Sequence, residues 1–232
     1  MTNFIAHRGF GKENKQNTTA AFRCASQSVV YGVETDVRTT NDNVFVVFHD
    51  KSTTRLCGKY KIIEKTDFKK VQELKVLDRH LQHTIPTFLD FLQNCKSNKK
   101  VSVVEIKSNL TKEQIEKFIQ IIDKEQYLTK TIFISFNKQV LKYIRELLPE
   151  QPIQILAIKY KNLDLKFLQE YKFGIDIHHL QLTKERITEC HELGIDVNCW
   201  TVNSIRRSKL LQQWGVDFIT TDKIIISENN IS

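Results

Sequence analysis

Short apolar runs alternate with amphipathic stretches along most of this chain. The runs indicate strands, and the stretches between them carry apolar residues near the i, i+3, i+4 spacing of helices that bury one face. The predicted strands are NFIAH, GVETDV, VFVVFH, VSVVEIK, TIFISF, IQILAI, FGIDIHH, DVNCWTV and DFITT. The predicted helices are TTAAFRCASQSVV, TFLDFLQNC, KEQIEKFIQIIDKEQ, KQVLKYIRELL, LKFLQEY, TKERITECHEL and SIRRSKLLQQW. Continuous apolar strands alternating with such helices are typical of a parallel sheet covered by helices.

The number of alternations favours a closed barrel over an open sheet. GVETDV and VFVVFH follow each other so closely that they suggest a hairpin-like extension, and counting them together gives eight strand–helix alternations. We therefore predict an α/β fold, a (β/α)8 TIM barrel that spans residues 1–232 as one domain. The main rival is a doubly wound open sheet, which usually has a glycine-rich first turn. The seven glycines of this chain supply no GxGxxG.

One segment, residues 51–84, interrupts the alternation. It is polar and irregular and shows no clear strand or long helix. In a barrel it is an insertion in the loop after the second strand, on the face where active sites are built. Two interpretations stay open: the segment shapes the substrate site, or it is a decorative loop.

Charge and composition narrow the class of partner. The net charge of +8 comes from lysines spread over many segments, without an arginine-rich or aromatic-interleaved stretch, so we expect no nucleic-acid partner. A basic surface also attracts a small anionic substrate. No apolar run approaches 18 residues and no signal peptide is visible, so we expect no stable membrane insertion. Five cysteines without a CxxC pair indicate reduced thiols in a cytoplasmic protein. The oligomeric state stays open.

Acidic side chains interrupt two of the apolar strands. Glu34 and Asp36 lie two apart in GVETDV and point to one face, and Glu105 and Lys107 repeat this spacing in VSVVEIK. Buried carboxylates are costly unless a cation joins them. Three carboxylates suit a hard divalent ion, Mg²⁺ or Ca²⁺, whereas zinc would need more histidine or cysteine. Taken alone, each i, i+2 pair could instead form salt bridges inside the barrel. The two pairs together favour a metal site.

Two histidines close strands that should end at the same barrel mouth. His7 ends the first strand, and His49 ends VFVVFHD, where Asp50 follows it and could cap the turn or orient its neighbourhood. Facing a carboxylate cluster, two histidines fit a general acid and a general base. Arg8 and Lys107 add positive charge suited to phosphate oxygens. This set of groups predicts cleavage of a phosphodiester.

Short motifs that run in order from Ile5 to Asp222 resemble the glycerophosphodiester phosphodiesterases. They are His-Arg-Gly, Asn-Thr with Ala-Ala-Phe, Glu-Thr-Asp-Val, Val-Phe-His-Asp, Ile-Pro-Thr, Glu-Ile-Lys, Ser-Phe, Trp-Thr-Val-Asn and Gly-Val-Asp-Phe-Ile-Thr-Thr-Asp. The resemblance implies a TIM barrel with an insertion after the second strand. It also implies metal-dependent hydrolysis of glycerophosphodiesters, a small-molecule class, to sn-glycerol 3-phosphate and an alcohol.

The resemblance also implies roles for individual residues. These are His7 and His49 as the acid–base pair, Glu34, Asp36 and Glu105 as ligands of Mg²⁺ or Ca²⁺, and Arg8 and Lys107 as phosphate contacts. Trp200 matches an aromatic residue near the substrate at the end of the seventh strand; a core tryptophan is the alternative. The resemblance further suggests that a substrate hydroxyl attacks phosphorus first and forms a cyclic phosphate.

The chain departs from the family pattern at one position. Gln16-Asn17-Thr18 stands where the family usually has Glu-Asn-Thr, and Glu13 would need a shift of a residue or two to replace the missing carboxylate. The departure concerns the charge around His7 and Arg8 rather than the three carboxylates. One alternative is therefore a catalytically silent barrel that only binds phosphodiesters. A second alternative is a phospholipase resembling sphingomyelinase D.

Overall fold

The strands form a closed barrel with two short additions. The computed structural model describes residues 1–11, 15–78 and 81–223. Its strands are β1 (Asn3–Ala6), β2 (Gly32–Thr39), β3 (Phe45–Val47), β4 (Lys75–Asp78), β5 (Leu81–Thr84), β6 (Val101–Ile106), β7 (Thr131–Ser135), β8 (Ile153–Ala157), β9 (Gly174–His178), β10 (Val197–Trp200) and β11 (Phe218–Thr221). Eight of them pair in parallel, and β1 closes the ring by pairing with both β2 and β11. The predicted TIM barrel is confirmed.

Among the described residues, seven helices follow barrel strands and form the outer layer, and two short helices lie in the insertion. They are α1 (Thr19–Ser26), α2 (Thr54–Cys57), α3 (Phe68–Gln72), α4 (Phe88–Ser97), α5 (Lys112–Lys124), α6 (Lys138–Leu147), α7 (Leu165–Glu170), α8 (Lys184–Glu192) and α9 (Ile205–Gln213). All except α2 and α3 begin after a Thr, Ser, Asn or Asp whose side chain accepts a hydrogen bond from a backbone N–H of the first turn. These caps explain why each helix starts where its apolar pattern starts.

The barrel interior combines an apolar cluster, a hydrogen-bonded polar pair and charged side chains at the top. The apolar cluster consists of alternate strand residues: Ile5, Val101, Val103, Ile132, Ile134 and Leu156. Nδ2 of Asn198 donates to Oε1 of Gln154 at 3.1 Å, and both side chains are buried. On β2, Val33 and Val37 point outward against the helices, so Glu34 and Asp36 point inward. Glu105 follows Val103 on the inner face of β6. The carboxylates therefore lie above the apolar layers, at the carboxyl ends of the strands.

The predicted hairpin-like extension of the second strand is confirmed. β2 and β3 pair antiparallel, with Val37 opposite Val47, and the Phe48 amide donates to the Asp36 carbonyl at 2.9 Å. This pairing returns the chain to the barrel mouth. His49 and Asp50 follow directly, which places them beside the end of β2.

The insertion is more ordered than its sequence indicates. Residues 51–84 contain α2, α3 and an antiparallel hairpin of β4 and β5, so the prediction that they include no clear strand is wrong. They have a small apolar core of their own, which includes Leu56, Ile63, Val71 and Val76 and rests on Phe48. Its residues have neither helical nor strand periodicity because they come from short elements. No helix among residues 1–11, 15–78 and 81–223 is long and apolar enough to cross a membrane.

Candidate active site

The first strand ends in a tight turn that places His7 and Arg8 at the barrel mouth. His7–Gly9 form a single 3-10 turn in which Arg8 and Gly9 have φ values of 50° and 73°. A Cβ on Gly9 would lie 2.7 Å from the backbone carbon of Ala21, so only glycine lets this turn pack on α1. The Arg8 amide donates to Oε2 of Glu34 at 2.9 Å. The His-Arg-Gly motif thus fixes the turn to the carboxylate cluster.

Three carboxylates meet beside this turn. Glu34, Asp36 and Glu105 are 2%, 0% and 7% exposed, and one oxygen of each lies within 4.8 Å of the others. Two cations contact the cluster. Nε of Arg8 lies 3.0 Å from Oδ2 of Asp36, and Nζ of Lys107 lies 2.8 Å from Oε1 of Glu105 and 3.5 Å from Oδ1 of Asp36. The five predicted residues are therefore brought together.

The two cations do not compensate all three carboxylates. Burial and then the Asp36 charge raise the pKa of Glu34 well above its ordinary value. The same two causes raise the pKa of Glu105 to about 7. Burial opposes ionisation of Asp36 too, but Arg8 and Lys107 outweigh it and lower the pKa of this carboxyl. The cluster thus holds more acidic groups than its own cations stabilise as anions.

The cluster fits a hard divalent cation. Oxygen donors from three separate carboxylates converge, and Oδ1 of Asp36 is buried without a hydrogen bond from any described residue. Mg²⁺ and Ca²⁺ prefer such oxygen ligands. A divalent charge would also favour ionised Glu34 and Glu105. Glu34, Asp36 and Glu105 can therefore hold such an ion.

His7 is oriented by a carboxylate from the other end of the chain. Its Nδ1 lies 2.6 Å from Oδ1 of Asp222, and its Nε2 lies 3.9 Å from Oε2 of Glu34. Asp222 also accepts a hydrogen bond from Nδ2 of Asn203 at 2.8 Å. Because Nδ1 faces Asp222, Nε2 is the ring nitrogen that faces the carboxylate cluster.

His49 has a matching arrangement. Its Nδ1 lies 2.7 Å from Oδ1 of Asp50, which Arg55 contacts at 2.6 and 2.9 Å. Burial opposes ionisation of Asp50, but hydrogen bonds from Arg55 and His49 lower its pKa to about 2. Burial is the main cause that lowers the pKa of His49, which favours the neutral ring. Arg38 fixes the backbone here by donating to the His49 carbonyl at 2.7 and 3.0 Å.

A pocket of about 100 Å³ contains these groups together with apolar side chains. Its charged and polar lining residues are His7, Arg8, Glu34, His49, Glu105, Lys107, Asp176 and Thr220, and its apolar lining residues are Ile134, Phe136, Leu156 and Trp200. The indole of Trp200 is half-buried, stands nearly perpendicular to the ring of Phe136 at 6.3 Å, and donates from Nε1 to the Asp176 carbonyl at 3.1 Å. Trp200 thus lies in the pocket wall rather than wholly in the core.

The residue that departs from the family pattern lies beside Arg8. Oε1 of Gln16 accepts a hydrogen bond from Nη1 of Arg8 at 2.9 Å, and its Nε2 is buried without a partner among the described residues. The neighbouring Asn17, at φ 56°, donates from Nδ2 to Oδ2 of Asp36 at 2.7 Å. Glu13 lies outside the described residues. Gln16 therefore holds Arg8 but contributes no charge.

Two acidic groups of the site were not assigned from the sequence. Asp222 follows the last strand, and its pairing with His7 depends on closure of the barrel. Asp176 lies on the inner face of β9, is 2% exposed, and has an Oδ1 without a partner among the described residues. Burial and then the Glu105 charge raise its pKa well above the ordinary value. The alternation of FGIDIHH, in which Ile175 and Ile177 point outward, is the signal that indicates its inward direction.

The family model described as "Glycerophosphoryl diester phosphodiesterase family" matches residues 7–226. Two relatives are named glycerophosphodiester phosphodiesterase. The protein from Caldanaerobacter subterraneus subsp. tengcongensis is 26% identical over 231 residues, which cover 94% of this chain and 93% of the relative. The protein from Bacillus altitudinis is 26% identical over 239 residues, which cover 96% and 95%.

Solved structures agree with this match. A glycerophosphodiester phosphodiesterase from Parabacteroides distasonis has a TM-score of 0.83 and 30% identity, with 95% of this chain and 92% of that chain covered. An Oleispira antarctica phosphodiesterase in complex with the product sn-glycerol-3-phosphate has a TM-score of 0.87 over 96% and 93% of the two chains. Because the identity is only 23%, the similarity to the Oleispira antarctica structure is evidence for the fold alone.

Proposed function

The chain belongs to the glycerophosphoryl diester phosphodiesterase family, and from that premise we propose that it hydrolyses glycerophosphodiesters with a divalent cation and with His7 and His49 as the acid–base pair. The products are sn-glycerol 3-phosphate and an alcohol. One observation carries the proposal: two histidines, each held by a carboxylate, line one pocket together with three carboxylates, an arginine and a lysine. The Oleispira antarctica protein, which shares this fold, is in complex with the product sn-glycerol-3-phosphate, the product that we propose for this chain.

Arg8 and Lys107 bind the phosphodiester in this proposal. Both contact Asp36, at 3.0 and 3.5 Å, so their charges converge on one side of the pocket. The backbone amide of Arg8 is held by Glu34, and its Nη1 by Gln16, which limits the positions of the guanidinium. A charged fork fixed in this way orients phosphate oxygens as well as attracting them.

Glu34, Asp36 and Glu105 would hold Mg²⁺ or Ca²⁺ in the proposed enzyme. Such an ion would neutralise charge on the phosphate oxygens and lower the pKa of an attacking hydroxyl. Glu34 and Glu105 line the same pocket as His7, His49, Arg8 and Lys107, so these groups can act on one bound substrate.

The histidines move protons on opposite sides of the phosphorus. The substrate hydroxyl next to the ester oxygen loses its proton to one imidazole and attacks phosphorus, while the other imidazole protonates the leaving alkoxide. Water then opens the cyclic phosphate, and the two rings exchange roles. An attacker within the substrate needs no separate capture of water, which can lower the barrier by roughly 7–11 kcal/mol when it is well oriented.

Release of sn-glycerol 3-phosphate from glycerophosphocholine tests the proposal. We expect release by the purified protein, loss of release after EDTA treatment, and recovery with Mg²⁺ or Ca²⁺. Glu34→Gln should abolish recovery, and an exposed control, Glu116→Gln on α5, should retain it. Binding of the diester without release under every metal condition would instead support the silent barrel. Full activity in EDTA would refute metal dependence.

A further inference from the structure

A second, larger cleft opens beside the catalytic pocket. It measures about 530 Å³ and lies between the carboxyl ends of β2 and β6, the start of α5 and the insertion at residues 51–84. Lys107 lines both this cleft and the catalytic pocket. A molecule whose phosphate contacts Lys107 can therefore extend into the cleft. Its volume is in the range of small-molecule sites.

The cleft carries an excess of positive charge. Its cationic residues are Arg38, Lys51, Lys65 and Lys107, and Glu64 is its anionic residue. Arg38 is paired with Glu64 at 2.5 Å, and Lys107 is paired with Glu105 at 2.8 Å. Lys51 and Lys65 are exposed, and neither forms an ion pair within the part of the chain that the structure describes. Two uncompensated ammonium groups thus face the cleft.

The cleft also begins next to one of the two histidines. Arg38 donates to the His49 carbonyl at 2.7 and 3.0 Å, and Lys51 follows His49 by two residues. Oε1 of Glu64 accepts from Arg38 and Ser108, whereas Oε2 is buried without a partner among the described residues. That oxygen can accept a hydrogen bond from a hydroxyl group. The cleft therefore offers an acceptor near His49 and cations farther out.

We propose that this cleft binds the alcohol arm of the diester and favours an alcohol that carries a second phosphate. The inference rests on the proposed function and deepens it by naming the substrate class. With the scissile phosphate on Lys107, a phosphate on the alcohol arm would lie between Lys51 and Lys65, and a hydroxyl of the arm would meet Oε2 of Glu64. The same lysines disfavour a cationic head group, because like charges repel.

The test compares two substrates and two double variants. The substrates are glycerophosphoglycerol and the same diester with a terminal phosphate on one glycerol. The variants are Lys51→Ala/Lys65→Ala and the control Lys69→Ala/Lys70→Ala, which changes two exposed lysines of α3 outside the cleft. Each variant removes two lysines and therefore lowers the net charge from +8 to +6. The measured quantity is the ratio of kcat/KM for the phosphorylated substrate to kcat/KM for the other.

We expect the ratio to exceed one in the wild-type protein and to fall about 3- to 30-fold in Lys51→Ala/Lys65→Ala, because each exposed ion pair makes a small contribution. The control should keep the wild-type ratio. An equal fall in both variants would assign the preference to the net charge of the protein and overturn the subsite. A wild-type ratio of one or less would also overturn it, while leaving the proposed function intact. No sn-glycerol 3-phosphate from either substrate would overturn the proposed function and this inference with it.

Discussion

The carboxylate cluster predicts a stability that depends on both pH and divalent cations, and Glu105→Gln isolates one part of it. Burial first, and the Asp36 charge second, raise the pKa of Glu105 from 4.5 to about 7 in the folded protein without metal. The folded state therefore holds this proton more tightly than the unfolded chain does. The resulting stability is fully present below pH 4.5 and is lost as the pH rises through about 7.

The size of the effect follows from the shift. A difference of about 2.5 pKa units at 1.36 kcal/mol per unit corresponds to about 3 kcal/mol. In a chain of 232 residues this changes the melting temperature by about 6–12 °C. The amide introduced by Glu105→Gln keeps an oxygen that can accept from Lys107 but does not titrate. The difference in stability between wild type and variant should therefore fall by about 3 kcal/mol between pH 4.5 and pH 7.5.

Urea unfolding of both proteins at half-unit pH steps in EDTA measures this difference. Saturating Mg²⁺ or Ca²⁺ should flatten the pH dependence of the wild type above pH 5, because a bound cation favours the ionised carboxylate. Glu116→Gln, on the exposed face of α5, is the control and should follow the wild type. A constant difference in EDTA from pH 5 to pH 8 would refute the desolvated Glu105. Unchanged pH dependence with both cations would refute the metal site.

Three further predictions concern catalysis. His7→Ala and His49→Ala should each lower kcat by roughly 10²–10⁴-fold, and near-normal turnover in steady-state assays would remove that histidine from the mechanism. Gln16→Glu should raise the KM for the diester modestly, because it adds a carboxylate beside Arg8. It should leave the affinity for Mg²⁺, measured by calorimetric titration, nearly unchanged. A large gain in activity over a nearly inactive wild type would instead favour the silent barrel. A 2-deoxy analogue of glycerophosphocholine should bind but turn over far more slowly, and phosphorus NMR should detect cyclic phosphate only for glycerophosphocholine itself. Equal turnover would indicate direct attack by water.

The barrel and the convergence of its three carboxylates could be predicted from the sequence because both depend on local periodicity. Alternation along β2 places Val33 and Val37 outward, and the direction of Glu34 and Asp36 then follows without knowledge of the rest of the fold. Parallel strands in a barrel share one carboxyl edge, so Glu105 had to reach the same mouth. The insertion lacked such a signal, since its apolar core is assembled from short elements with no shared period.

Contacts between distant parts of the chain could not be predicted from the sequence, because they depend on the register of strand pairing in the closed barrel. His7 and Asp222 are 215 positions apart, and each is the first residue after a strand. In the structure, Ala6 is opposite Thr221 in the pairing of β1 with β11, so the two following residues become neighbours. A barrel prediction implies that the first and last strands pair, but the register of that pairing decides whether Asp222 reaches Nδ1 of His7. Sequence periodicity alone does not contain this register.

The position of Gln16 explains how the chain can depart from the family pattern while its carboxylate cluster stays intact. Arg8 bridges the two regions: its Nε contacts Asp36 and its Nη1 donates to Gln16. A glutamate at this position would divide the guanidinium charge between two carboxylates, whereas the neutral amide keeps the 2.9 Å hydrogen bond and leaves Asp36 as the ionic partner. The amide at position 16 therefore leaves more of the Arg8 charge uncompensated than a glutamate would, and within the described residues it forms no hydrogen bond with Glu34, Asp36 or Glu105.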